Sequence, residues 1–410
     1  MKSRTSVNLA AFSAIAALVL SACGGGDGGA KGADGDTVTV GVITSLTGPA
    51  AVNAKAIQSG YELAVKEFND KGGLQVKLEF SDAASPAEGS TAAQRLITSK
   101  GAEVVVGTYA SSVSATASEA AARLNTVYWE TSAFATDLTD RDLPNFFRIG
   151  FDADDFGRTI GDSAALFEEV VGKPIEEIRF YIEHEDSAYG TSIADAEEAA
   201  VKKLGAKVVG RTSHQATASD LTGTVLKTKA AEPDVWLMAN YAPDSILLLR
   251  AAAQQGFEPA MRVTAGTAAE IVRSVGPEIG EGLFNLGYPF DLNPNFAKGY
   301  EEFLKIYDQE IGGEPEMPQP LNGYAGMNAL LDVLQETEGD ASIEAFNDAA
   351  MALDLPIGSN AAGDGIKFDD TRQNTRALLI FDQWQSGENF VVWPEDARLD
   401  GTKVVPGAGS

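Results

Sequence analysis

Strand-like and helix-like segments alternate along this chain from Thr37 onward, and this alternation constrains the fold more than any other feature. The segment TVTVGVITSL at 37–46 has the two-residue apolar period of a strand. The segment at 56–73 instead places Ile57, Tyr61 and Phe68 on one helical face and stops at two glycines. Such alternation predicts parallel strands joined by right-handed crossovers, with helices on both faces of the sheet.

The alternation runs through two successive sets of elements, one before and one after the segment NFFRIGFDADD at 145–155. Roughly 370 residues follow residue 36, which is too many for one ordinary core and suits two lobes. We therefore predict an α/β fold with two doubly wound parallel-sheet lobes. The later pattern predicts a strand at 281–290 that crosses back, helices at 295–311, 322–337 and 342–352, and a hairpin that turns near Ser386 and Gly387.

The first 23 residues have the features of a bacterial secretion signal. Lys2 and Arg4 precede an apolar stretch of about twelve residues, which is too short to span a bilayer comfortably. The stretch ends in LSAC at 20–23, which resembles a lipobox and predicts that Cys23 is lipidated; the alternative is an ordinary signal peptide with an incidental cysteine. Residues 24–36 are almost all Gly, Asp and Ala, and this composition predicts a flexible tether.

The charge and cysteine counts exclude several classes of protein. The chain carries 31 basic and 59 acidic residues, for a net charge of −28, so it lacks the basic surface that binding to nucleic acid requires. Its single cysteine excludes a disulfide framework.

Motifs for catalysis, cofactors and metals are missing from the sequence. The chain has only two histidines, His184 and His214, and no G-x-S-x-G motif, which argues against a serine hydrolase. It has no phosphate-binding G-x-x-x-x-G-K-[ST] motif and no His and Cys cluster for a transition metal. The acidic stretch at 152–155 lacks calcium-loop spacing, and we interpret it as solvated acids at the start of a helix. We therefore expect no enzyme activity, cofactor or metal.

A small loop dense in hydroxyl groups follows the buried-looking strand at 102–106. The loop has the sequence GTYASSVSAT at 107–116. Ser111 and Ser112 lie in it between the end of the strand and the start of the predicted helix. Serine is a preferred helix cap, yet a helix start after a parallel strand also presents free amides to an anionic or amide oxygen. Both interpretations stay open, with Ser111 as the expected ligand contact and Ser112 as the expected cap and a second candidate contact.

Equivalent loops follow other predicted strands. In open α/β sheets, ligands bind beyond the carboxyl ends of the strands, so these loops should face one cleft. They offer the backbone of Ala133 and Phe134, followed by the rings of Tyr189 and Tyr241. Each tyrosine has the alternative of being a half-buried loop aromatic with no ligand.

The segments VGVITSLTGPAA, VVVGTYASSVSATAS and HEDSAYGTSIADA, together with GIKFDDTRQNTRAL near the end, resemble the leucine/isoleucine/valine-type periplasmic binding proteins. The resemblance covers nearly all of residues 37–395. It implies a receptor for branched-chain amino acids or amides in an ABC importer, with two lobes joined by three crossovers and a hinge that closes on a small ligand. It also implies a first lobe of 37–150 and 288–365, and a second lobe of 151–287 and 366–405.

The resemblance assigns roles to individual residues. It implies that Ser111 grips a ligand carboxylate and that the carbonyl of Ala133 accepts from a ligand ammonium. Phe134 replaces a small hydroxyl residue, which narrows the pocket or adds a stacking face. Tyr189 and Tyr241 match the second-lobe aromatics that close over the ligand.

Two further positions bear on the choice of ligand. The resemblance puts Asn53 where amino-acid receptors carry an aromatic, which suggests a more polar ligand. The acid that pairs with a ligand ammonium should follow MRVTAG, where this chain has Thr267, and Glu270 is the nearest carboxylate. Because a buried ammonium without a partner costs several kcal/mol, amide, urea-like, aromatic and carboxylate ligands stay open beside amino acids.

The sequence therefore predicts an extracytoplasmic receptor, lipid-anchored to the cell membrane, that delivers amino acids or related small amides and carboxylates to an ABC permease. The alternative is a ligand-binding sensor that signals to a receptor without transport.

Overall fold

The computed structural model describes residues 37–405 apart from Pro49 and Thr267. The predicted lipidation site Cys23 and the tether at 24–36 lie outside the described residues. In the part of the chain that is described, no helix combines the length and the apolar character needed to cross a membrane.

The first sheet has five strands in the order β2-β1-β3-β4-β5, and all neighbours are parallel. Its strands are β1 (Thr37–Thr44), β2 (Gln75–Asp82), β3 (Val104–Gly107), β4 (Val127–Glu130) and β5 (Phe146–Arg148).

The second sheet has seven strands in the order β12-β11-β10-β9-β8-β6-β7. Its strands are β6 (Arg179–Glu185), β7 (Lys207–His214), β8 (Val235–Ala239), β9 (Met261–Gly266), β10 (Phe284–Gly287), β11 (Ile380–Gln385) and β12 (Glu388–Trp393). Strands β6 to β10 are parallel, whereas β11 is antiparallel to both of its neighbours. The β11–β12 hairpin and the returning strand β10 both match the sequence prediction.

Helices cover both faces of each sheet, as the alternation predicts. The helices are α1 (Ala51–Asp70), α2 (Pro86–Lys100), α3 (Ser111–Arg123), α4 (Ala153–Asp162), α5 (Ala164–Val171), α6 (Ala188–Lys203), α7 (Thr222–Ala230), α8 (Ala242–Gln254), α9 (Ala269–Val275), α10 (Pro277–Gly280), α11 (Tyr300–Glu310), α12 (Gln319–Glu336) and α13 (Ile343–Met351). Four buried clusters result, one on each face of each sheet. We call the first sheet with its helices the first lobe, and the second sheet with its helices the second lobe.

The chain passes between the lobes three times. It leaves β5 of the first sheet for α4, which packs in the second lobe against α6. It returns after β10 to α11, α12 and α13, whose apolar side chains join the core of the first lobe. It passes back after α13 to β11 of the second sheet. Three passes of this kind connect the two lobes, which share a contact surface.

Local sequence signals account for several helix ends. Ser85 accepts from the backbone N–H of Glu88 at the start of α2, and Gly101 ends that helix in the left-handed region. Asp152 and Asp155 form a reciprocal capping box at the start of α4. This arrangement confirms the helix start at 152–155, but the expectation that its acids are solvated is wrong for Asp152 and Asp155, which are buried because they cap the helix.

Candidate ligand site between the lobes

Three of the predicted site residues lie in one aromatic cluster that crosses from lobe to lobe. Phe134 comes from the loop after β4 in the first lobe, and its ring centroid lies 5.9 Å from that of Tyr189 at the start of α6. Tyr189 in turn lies 4.9 Å from Tyr241, the residue that precedes α8. All three follow the carboxyl ends of parallel strands, where this class of sheet binds ligands.

Two aromatic residues that the sequence did not single out belong to the same cluster. The ring of Tyr288, just after β10, lies 5.5 Å from that of Phe134. Tyr109 lies close enough to Tyr189, Tyr241 and Tyr288 to raise the pKa of each, although burial is the larger cause of those shifts. Tyr109 also has a φ of 82°, which is rare for a bulky residue and is found mostly where function constrains the backbone.

Ser111 connects two loops of the first lobe. It is the first residue of α3, it is 1% exposed, and its hydroxyl oxygen accepts from the backbone N–H of Ala135 at 3.2 Å. That bond leaves the hydroxyl hydrogen able to donate to a ligand. The prediction that Ser112 caps the helix is wrong, because the cap position is Ala110, whose carbonyl accepts from the amide of Ser114 at 3.0 Å.

A buried carboxylate shapes the two loops of the first lobe that carry Ser111 and Phe134. Glu130 ends β4, is fully buried and accepts from the backbone amides of Thr108, Thr131, Ser132 and Ala133 at 2.9–3.0 Å, and from the hydroxyl of Ser114. Burial raises the pKa of Glu130 to about 7, against the lowering effect of its hydrogen bonds. Because all five donors need an acceptor, this side chain fixes the path of the loops that carry Ser111 and Phe134.

The carbonyl of Ala133, predicted to meet a ligand ammonium, already has a cationic partner. The fully buried guanidinium of Arg148 donates to this carbonyl at 3.2 Å and to that of Ala135 at 2.7 Å. It also donates to Asp152 at 3.2 Å, so it ties the loop to the first crossover between the lobes. The carbonyl keeps one further lone pair, and its contact with a ligand stays a prediction.

The second lobe has a counterpart of the Glu130 arrangement. Glu185 ends β6, and its carboxylate accepts from the amide of Ser187 at 2.7 Å, its hydroxyl at 2.6 Å and the amide of Gly190 at 2.8 Å. These bonds position the start of α6 and with it Tyr189, whose hydroxyl donates to the carbonyl of Ala265 at 3.3 Å. Each lobe thus uses a buried glutamate at a strand end to hold the loop that carries its aromatic residues.

Asn53 and Glu270 meet between the lobes. The Asn53 side-chain nitrogen, near the start of α1, donates to the Glu270 carboxylate in α9 at 3.4 Å. Burial raises the pKa of Glu270, while Arg273 and Asn53 lower it. The predicted contact Thr267 lies outside the described residues.

Several buried polar atoms near this cluster lack a partner within the described part of the chain. Both amide atoms of Gln319, the hydroxyl of Tyr288 and the side-chain oxygen of Asn53 form no hydrogen bond within normal distance and angle limits. The side chain of Ser132 nevertheless lies close enough to Tyr288 to lower its pKa. Gln319 is fully buried beside the hydroxyl of Tyr109. Buried polar groups normally have partners, so donors and acceptors that lack them at an interlobe cluster are suited to a polar ligand.

The two histidines are engaged inside the second lobe. The Nε2 atom of His184 accepts from Arg211 at 3.1 Å, and its Nδ1 atom lies 2.8 Å from the carbonyl of Glu185. His214 pairs with the buried carboxylate of Glu183. Neither histidine is hydrogen-bonded to Ser111, whose hydroxyl accepts from the amide of Ala135.

Comparison with known proteins gives concordant results. A family model described as periplasmic binding protein matches residues 37–389. The Leu/Ile/Val-binding protein homolog 7 of Brucella suis biovar 1 (strain 1330) is 32% identical over 380 residues, which cover 90% of this chain and 94% of the relative.

Two solved structures share the fold at low identity. The substrate-binding protein LivJ of Streptococcus pneumoniae, in complex with isoleucine, superposes with a TM-score of 0.75 at 20% identity, covering 88% of this chain and 100% of that one. A solute-binding protein of an ABC transporter from Rhodopseudomonas palustris BisB5, in complex with 3,4-dihydroxybenzoic acid, superposes with a TM-score of 0.74 at 20% identity. That match covers 90% of this chain and 99% of the other.

Proposed function

Since the chain belongs to the periplasmic binding protein family, we propose that it is the extracytoplasmic substrate-binding receptor of an ABC importer. The observation that carries this proposal is the contact of Phe134 in the first lobe with Tyr189 in the second, amid buried polar atoms without partners. A ligand that contacts both lobes favours the closed state by its differential affinity. The closed form is the one that a permease recognises.

We propose that the lobes are 37–150 with 288–365 and 151–287 with 366–405. The ligand is a small carboxylate with an apolar body, and branched-chain amino acids are the first candidates because the relatives are named for them. Ser111 donates to the carboxylate, and the rings of Phe134, Tyr189 and Tyr241 cover the apolar body. Glu270, held by Asn53, is the carboxylate available to a ligand ammonium.

Aromatic carboxylates are the second candidate ligands. The cluster contains five aromatic side chains: Tyr109, Phe134, Tyr189, Tyr241 and Tyr288. Offset and edge contacts with a ligand ring would add to the burial of its apolar surface. One solved neighbour was obtained with a dihydroxybenzoate, in line with this chemistry.

Cys23 is the proposed lipid anchor, with residues 24–36 as the tether to the membrane surface. The role is one of binding without chemistry, because the hydroxyl of Ser111 has an amide neighbour and the histidines are engaged elsewhere. A sensor that signals without transport would use the same closure and would differ in its membrane partner.

A thermal-shift screen tests the ligand class. We expect leucine, isoleucine or valine to raise the melting temperature by mass action, with 4-hydroxybenzoate and benzamide as the aromatic and amide comparisons. If the benzoate alone succeeds, the ligand is an aromatic acid and Glu270 does not serve an ammonium. If none of the five shifts the transition, the proposed ligand classes are wrong.

Ser111→Ala should weaken binding of the ligand found in that screen about tenfold, the loss of roughly one charge-assisted hydrogen bond. Isothermal titration calorimetry measures this, and Ser99→Ala, at an exposed position of α2, is the matched control. An unchanged affinity in Ser111→Ala would remove this residue from the site.

A further inference from the structure

A second cavity lies beside the hinge and shares no residue with the aromatic cluster above. It has a volume of about 610 Å³, within the range of small-molecule sites. Its walls come from β10, from the β11–β12 hairpin, from the crossover after β10, from α11 and from the segment before α12. We call it the hinge-side cavity.

The Asp, Glu, Lys, Arg and His side chains that line the hinge-side cavity are all acidic. They are Asp291, Glu314, Glu316, Asp382 and Glu388, and no Lys, Arg or His is among the described lining residues. Glu316 pairs with Arg273 at 2.8 Å. The other four carboxylates form no ion pair within the described residues, so no described cation neutralises them when they are ionised.

Asp382 is the most buried of these carboxylates, and only one of its two oxygens accepts a hydrogen bond of good geometry. It is 3% exposed, and its Oδ2 atom accepts from the side-chain amide of Asn285 at 2.9 Å. Its Oδ1 atom makes no hydrogen bond of ordinary geometry with any described residue. Burial raises the pKa of Asp382 to about 8 and the charge of Asp291 adds to the effect, while the side chains of Asn285 and Asn389 lower it. Asp382 therefore holds a proton at neutral pH, which a cation bound beside it would displace. A carboxylate in this condition is stabilised by a cation that enters the cavity.

The remaining walls select the kind of cation. Phe290, Tyr300, Trp384 and Phe390 line the cavity, and aromatic faces attract organic ammonium ions. Within the described residues, no three His, Cys, Asp or Glu side chains are grouped so as to hold a metal ion. A cavity that combines carboxylates with aromatic walls suits a ligand that has both a positive charge and an aliphatic body.

We propose that the hinge-side cavity binds a small aliphatic ammonium compound, with Asp382 as the buried anion and Glu388 at the cavity rim as a second. The binding is reversible and involves no covalent step. The proposal does not rest on the ligand between the lobes, although Ala268 and Ala269 in the cavity wall directly precede Glu270 in the chain.

Isothermal titration of the protein with 1,4-diaminobutane in physiological salt tests the proposal, with 1,4-butanediol as the uncharged compound of equal length. We expect saturable one-to-one binding of the diamine and none of the diol. Asp382→Asn, which keeps an acceptor for Asn285, should weaken diamine binding at least tenfold. Glu388 is exposed, so Glu388→Gln should not destabilise the fold. This substitution should weaken diamine binding severalfold.

The matched control is Asp370→Asn, the same substitution at an exposed position outside the cavity. It should change diamine affinity less than twofold. A protein with a net charge of −28 attracts any cation weakly, and an equal loss in Asp370→Asn and Asp382→Asn would assign the binding to that general attraction and overturn the proposal. Absence of saturable diamine binding, or equal binding of the diol, would also overturn it.

Discussion

Glu130→Ala is expected to lower the free energy of unfolding by about 4 kcal/mol or more, and to abolish ligand binding in whatever protein still folds. The substitution leaves four backbone amides and the hydroxyl of Ser114 without their acceptor in a fully buried place. Each buried donor that loses its acceptor costs about 1–3 kcal/mol of stability. Water that enters the space left by the side chain can accept from some of these donors, which reduces the total loss. Chemical denaturation measures the stability, and ligand titration of the remaining folded protein measures the binding.

Glu185→Ala is the matched comparison in the second lobe. Its carboxylate accepts from three donors, all in the segment 187–190, so the expected loss is smaller, about 2–3 kcal/mol. Glu130→Gln should fall between alanine and the wild type, because its amide oxygen can accept while its NH₂ group faces the amide of Thr108. If Glu130→Ala costs less than Glu185→Ala, then Glu130 does not organise the ligand loops.

The fold was largely predictable because its signals are local. Periodicity, caps and glycines mark β1, α1 and the β11–β12 hairpin within windows of ten to twenty residues. The start of α4 was predicted, but α5 and the pair α9–α10 were not, because they are short and their apolar residues match no long helical pattern. Which strands neighbour each other in the second sheet depends on contacts between residues far apart in sequence, and those leave no local pattern.

The site was predictable only where a loop follows a strand. Ser111, Phe134, Tyr189 and Tyr241 occupy such loops, and the structure brings the three aromatic residues together. Tyr109 lies in the same serine-rich loop, and its aromatic side chain in a loop after a strand was a signal that could have identified it. Gln319 begins α12, about 200 residues from the loops it approaches, so only the tertiary fold reveals its place.

Glu130 and Glu185 show a second limit of the sequence. A carboxylate at the end of an apolar strand is expected to be exposed to solvent, because acidic residues usually are. Both are instead fully buried and hold the loops by backbone hydrogen bonds. A buried acid of this kind depends on donors supplied by the chain around it, and the donors are backbone groups that every sequence contains.

Glu197→Gln is expected to stabilise the protein at alkaline pH and to leave it nearly unchanged at pH 5. Glu197 in α6 is 2% exposed, and its Oε2 atom has no partner among the described residues. Burial raises the pKa of Glu197 from 4.5 to about 8, while Arg211 lowers it. Between pH 4.5 and about 8, Glu197 keeps its proton in the folded protein but has lost it in the unfolded chain. The free energy of unfolding therefore falls as the pH rises through this range. Glutamine removes this unfavourable contribution, about 5 kcal/mol at pH 9 for a pKa difference of about 3.5.

The adjacent Glu198 gives a control of opposite sign. Hydrogen bonds from Lys202 and Arg211 lower the pKa of Glu198, so its contribution is present above its unfolded value and is lost as pH falls. Glu198→Gln should therefore destabilise the protein at pH 8 by a few tenths of a kcal/mol, since the pairs are screened by water, and should approach the wild type in acid. Urea unfolding of the wild type and both variants from pH 5 to 9 measures the differences. If the gap between Glu197→Gln and the wild type stays constant over that range, Glu197 does not titrate in the folded protein, and its burial does not control the pH dependence of stability.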